Sequence, residues 1–131
     1  MNRATTRIGI QNIGQISIIV RDLQRATAFY RDTLGLPLLF TAGNLAFFDC
    51  GGVRLMLGPA ETPELDHPSS ILYFRVPDLN AAHQRLVDLG VPIVALPRLI
   101  APMPNYDLWM SAFRDSEGNI HQLMSEVPHT A

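Results

Sequence analysis

Lysine is missing from this 131-residue chain: its ten cationic side chains are all arginine, scattered from Arg3 to Arg114 and set against twelve Asp and Glu. With a net charge of −2 and no basic run, it lacks the charged stripe that a phosphate backbone selects, so nucleic acid is excluded as a partner. Cys50 is the only cysteine, so no intrachain disulfide can staple the fold, and a cytoplasmic, reducing setting is expected. Uninterrupted apolar runs of about 18 residues are absent. Residues 1–12 carry Arg3 and Arg7 but no apolar segment, so neither export nor a membrane partner is expected. A glycine-rich phosphate loop, a G-x-S-x-G elbow and a cysteine with a sequence-evident histidine partner are also missing, which removes the commonest nucleophilic and phosphate chemistries.

What is present is a repeat. Hydrophobic residues make up 47% of the chain, enough for one domain spanning 1–131 with its own core. Residues 14–20 alternate as a strand, after which Leu23, Ala26, Phe29, Tyr30 and Leu34 recur at helical spacing. Asp22 stands at the N-cap of that helix and Gly35 at its end. Apolar runs over 36–41, 45–49 and 53–57, separated by Gly-rich turns, predict three further strands. The order then recurs: a strand over 71–76, Asp78 as cap, Leu79, Ala82, Leu86 and Leu89 as the stripe, and Gly90 as the stop.

The halves also match locally: Val20-Arg21-Asp22-Leu23 with Val76-Pro77-Asp78-Leu79, Gly35-Leu36-Pro37 with Gly90-Val91-Pro92, and Asp49-Cys50-Gly51-Gly52 with Asp115-Ser116-Glu117-Gly118. The reading is therefore α+β: a first βαβββ module over 13–57, a proline-rich linker over 58–70, a second module over 71–126, and tails at 1–12 and 127–131. The modules form an open, cupped mixed sheet. The second module carries roughly eleven extra residues, which Pro102, Pro104 and Asn105 mark as a loop over 99–108 beside the cleft.

The phrases Ala28-Phe29-Tyr30-Arg31-Asp32-Thr33-Leu34-Gly35-Leu36 and Asp115-Ser116-Glu117-Gly118-Asn119 resemble those of the vicinal oxygen chelate superfamily, which includes glyoxalase I, bleomycin-resistance proteins, fosfomycin-resistance enzymes and extradiol dioxygenases. The resemblance spans residues 13–126. It implies the tandem βαβββ fold, and in metal-dependent members it implies ligands at four positions, here Gln15, Met56, Ile71 and Gln122. The internal repeat independently pairs Gln15 with Ile71 and Met56 with Gln122.

Two amides, a thioether and an alkyl group give a divalent cation no anionic or imidazole donor, so no metal and no other cofactor is expected. Alternation places Gln15, Ser17, Arg54, Met56, Ile71, Tyr73, Arg75, Ile120, Gln122 and Met124 on the cleft face. Arg54 and Arg75 are expected to be its only charges, and their guanidinium forks suit a carboxylate or phosphate. The same alternation turns His121 toward the helix layer. His67, His83 and His129 read as solvated or packed side chains, and Trp109 is left without a face.

The resemblance and these residues together imply a small-molecule-binding protein whose ligand is anionic or aromatic. The alternatives are a metal-dependent lyase, isomerase or dioxygenase with an atypical site, a cofactor-free proton-transfer catalyst with Tyr73 as its base, or an interaction module. A homodimer is expected, since modules of this family pair across twofold axes. No catalytic residue is assigned.

Overall fold

In each half the first strand pairs in parallel with the last, and that pairing sets the two halves' open faces. The structure is a computed structural model in which residues 7–129 are described; residues 1–6 and 130–131, in the expected tails, lie outside them. The first half runs β1 (Gln15–Ile19), α1 (Leu23–Ala28), β2 (Leu38–Ala42), β3 (Leu45–Cys50) and β4 (Val53–Gly58). The second runs β5 (Tyr73–Arg75), α2 (Leu79–Asp88), β6 (Ile93–Pro102), β7 (Tyr106–Arg114) and β8 (Ile120–Pro128). They form two four-stranded mixed sheets, ordered β1-β4-β3-β2 and β5-β8-β7-β6, the first two strands of each running parallel.

Both helices start where an aspartate satisfies an orphan N–H: Asp22 accepts from Arg25 and Asp78 from Ala81. After Ala28 the first helix widens into a π-helical turn over Phe29–Thr33, and Gly35 (φ +74°) then reverses the chain. Proline does not break the second sheet as expected. The predicted loop over 99–108 is instead the tip of a β6–β7 hairpin, with Leu99 opposite Trp109 and Pro102 opposite Asp107. β6 tolerates proline because it is the sheet's outer strand, and Pro97 falls where the pairing register shifts between Ala95 and Arg98.

One face of each sheet is buried under helices. Ile18, Leu55, Leu57, Ala46 and Phe48 pack against Ala26 and Tyr30, while Leu79 and Leu86 cover Phe113 and Leu123. Trp109 lies on this helix side of the second sheet, opposite Ser125. Phe29 and Leu34 pack against the second cluster, and Leu72 and Phe74 against the first, so the helix-side layers of the two halves meet.

A buried polar hub fastens that junction. The Tyr30 hydroxyl donates to Asp115 Oδ2 at 2.6 Å and lies 3.1 Å from His121 Nε2. The Leu72 N–H donates to His121 Nδ1 at 3.1 Å, so the neutral ring carries its hydrogen on Nε2. His121 is fully buried on the helix side, as alternation requires. Burial pushes the Asp115 carboxyl up, but hydrogen bonds from His121, Tyr30 and Asn119 outweigh it and hold the group down at about 2. Burial first, and the Asp115 charge second, raise the Tyr30 phenol far above its ordinary value, so it remains a donor.

Candidate functional site: the open sheet faces

The faces turned away from the helices carry the candidate site residues in rows set by strand register. On the first sheet, Asp49, Arg54 and Gln15 form one row, and Phe40, Phe47, Met56 and Ser17 the next. Arg54 Nε donates to Gln15 Oε1 at 2.8 Å, and the guanidinium carbon lies 5.2 Å from the centre of the Phe47 ring. Phe47 stacks on Phe40 with ring centres 4.4 Å apart. Gln15 Nε2 points to Met56 Sδ at 3.5 Å. Arg54 makes no ion pair among the described residues.

On the second sheet, Tyr73, Gln122, Ala112 and Ala95 share one row, and Arg75, Met124, Met110 and Arg98 the next. Ile71 lies just ahead of β5 and stays half-exposed, as does Tyr73. Gln122 Oε1 is buried without a hydrogen-bond partner among the described residues.

Gln15, Ser17, Arg54 and Met56 are thus brought together on one sheet, and Tyr73, Arg75, Gln122 and Met124 on the other. Arg54 and Arg75 are not the only charges, contrary to expectation: Asp49, Arg98 and Glu126 occupy rows of the same faces. Moreover, Arg75 donates to Glu126 at 2.6 Å, so its guanidinium is partly occupied and Arg54 is the better placed for an incoming anion.

The donor chemistry at Gln15, Met56, Ile71 and Gln122 does not fit a catalytic divalent metal, because none of the four supplies a carboxylate, thiolate or imidazole. Among the described residues no three or more His, Cys, Asp or Glu side chains gather in a geometry that would hold one. Cys50 is half-buried, and burial, then the Asp49 charge, raises its thiol, so it is a poor nucleophile.

Sequence reasoning missed the contribution of the connecting segment. It folds back on the first sheet, where a pocket of about 190 Å³ is lined by Ser17, Ile19 and Met56 below and by Pro59, Glu61, Leu65 and His67 above. A short helical turn, Pro63–Leu65, shapes this strap, and its Asp66 meets Arg21 in an exposed ion pair at 3.0 Å. Proline spacing marked the linker as non-helical, but no sequence signal tells where a linker travels.

The model of the Glyoxalase/Bleomycin resistance protein/Dioxygenase superfamily matches residues 12–123. Protein YraH of Bacillus subtilis (strain 168) is 25% identical over 123 residues, covering 83% of this chain and 94% of YraH. Among solved structures, the antibiotic-binding protein TnmS3 of Streptomyces sp. CB03234 superposes with a TM-score of 0.73 at 25% identity, covering 92% of this chain and 99% of that one. Lactoylglutathione lyase of Agrobacterium tumefaciens superposes with a TM-score of 0.67 at 24% identity, covering 89% and 95%, a likeness of fold. No helix among the described residues is long and apolar enough to cross a membrane.

Proposed function

The chain belongs to the Glyoxalase/Bleomycin resistance protein/Dioxygenase superfamily, and from that premise we propose that it binds a small aromatic anion on its open sheet faces without a resident metal. The observation that carries this reading is Arg54: a guanidinium outside any ion pair among the described residues, laid over an aromatic stack, beside positions whose donors suit organic ligands better than metal ions. A carboxylate or phosphate would bridge the outer guanidinium nitrogens while the ligand's ring lies against the half-exposed Phe40, which Phe47 backs. Gln15 fixes the guanidinium from behind. The likeness to TnmS3, an antibiotic-binding protein, supports binding without chemistry.

A second copy of the chain completes the cleft in this proposal. Pockets that hold drug-sized ligands bury about 70–90% of the ligand surface. Either open sheet face alone, with Phe40 half-exposed on the first and Tyr73 half-exposed on the second, falls short of that enclosure.

Titration with benzoate, followed by the backbone amide signals of residues 15, 54 and 56, tests the reading. Saturable shifts that weaken about tenfold or more in Arg54→Ala support it, on the scale of a lost charge-assisted hydrogen bond. Equal binding by wild type and R54A overturns it, as does stoichiometric zinc, nickel or iron in protein purified without chelator.

A further inference from the structure

We propose that the strap over β1 and β4 gives the first sheet's ligand face an ammonium-binding end, with the Glu61 carboxylate as counter-charge and His67 Nε2 as a second acceptor. This inference rests on the reading above, because it assigns the opposite end of the same ligand. The pocket under the strap pairs apolar walls, from Ile19, Met56, Pro59 and Leu65, with three polar groups, from Ser17, Glu61 and His67. All three can accept a hydrogen bond: a carboxylate offers only acceptors, and a hydroxyl offers lone pairs.

His67 is set by its own backbone. Its Nδ1 lies 2.9 Å from the Pro68 carbonyl, which only accepts, so in the neutral ring Nδ1 carries the hydrogen and Nε2 keeps its lone pair. Glu61 has no ion-pair partner among the described residues. Glu61 is exposed, so its carboxylate is a solvated counter-charge lining the pocket that favours a cationic N–H donor, and the pocket's walls fit an apolar stem. One carboxylate and one imidazole fall short of the three protein ligands that hold even a catalytic zinc, which disfavours a metal ion here.

Size fixes how much of the ligand enters. About 190 Å³ is below the roughly 300 Å³ at which drug-sized sites begin, so the pocket takes one end of a molecule. Arg54 lies two residues before Met56 on β4, about 6.6 Å along the strand. An anion at Arg54 and an ammonium under the strap therefore define a bipolar ligand that carries opposite charges at the ends of an apolar body.

Benzylammonium, benzyl alcohol and benzoate separate the claims. In the full chain at neutral pH, benzylammonium should shift the amide signals of residues 17, 19, 56 and 65 saturably. Glu61→Gln should weaken it at least fivefold, while benzyl alcohol binds wild type and E61Q alike. His67→Gln, which retains an acceptor, should cost less than His67→Leu. Benzylammonium binding no better than benzyl alcohol, or untouched by E61Q, overturns the strap assignment whatever benzoate does at Arg54. Benzoate failing while benzylammonium succeeds instead removes the anion-binding reading and leaves the ammonium pocket standing.

Discussion

At the scale of single residues, Tyr30 links the two modules: its hydroxyl leaves the first to reach Asp115 and His121 in the second. Tyr30→Phe keeps the ring, which packs at 6.1 Å from Phe48, and deletes only the buried donor. It should cost about 1–3 kcal/mol in urea unfolding at pH 7; a change within error would show that the hub contributes nothing. Asp115 gives the pH signature. A carboxyl held at about 2 when folded, against roughly 3.9 unfolded, contributes stability that is present above the unfolded value and lost as pH falls from there toward 2. That loss amounts to about 2 kcal/mol, so the urea midpoint should drop between about pH 5 and 2, and Asp115→Asn should flatten the drop while lowering stability at neutral pH. Parallel acid profiles for the two proteins would remove Asp115 as the cause.

At the scale of elements, local chemistry that depends on neighbours in sequence was readable, and paths set by tertiary contact were not. Asp22 and Asp78 announced their helices because a cap needs only the next three residues, and Asp78→Ala should therefore destabilise α2 by about 1 kcal/mol in thermal melts. A melting temperature equal to wild type would deny the cap a role. Alternation likewise put Gln15 and Arg54 on one face and His121 on the other, since period two is a property of the strand itself. The β6–β7 hairpin escaped because Pro102 and Pro104 read as breakers, and only the sheet order reveals that β6 is an outer strand where a missing N–H does little harm. The π-helical turn at Phe29–Thr33 has no composition signal. Glu61 and His67 escaped for a stronger reason: they meet Ser17 and Met56 only because the strap folds back on the first sheet, a path set by tertiary contact.

At the scale of the molecule, the arrangement leaves an imbalance that a second copy would resolve. Helices cover one side of each sheet, while Ile71, Tyr73, Leu39 and Phe40, all 46–51% exposed, line open faces and outer strands. The half-bonded strands β1 and β5 each end a sheet, so two copies could set the first sheet of one against the second of the other around a twofold axis, making two equal clefts. A stable pairing of this kind needs about 800 Å² from each partner. Ile71 sits one residue pair ahead of Tyr73, where a charge would be buried without a partner in such an interface and would cost several kcal/mol. Ile71→Glu should therefore shift the sedimentation-equilibrium mass from dimer toward monomer and weaken benzoate together with it, because the cleft would lose its second wall. Val87→Glu, on the exposed side of α2, supplies the control and should leave both unchanged. A wild-type protein that sediments as a monomer yet binds benzoate at Arg54 would mean that one chain's open face suffices. In that outcome the strap, rather than a second copy, would be the element that closes over the ligand.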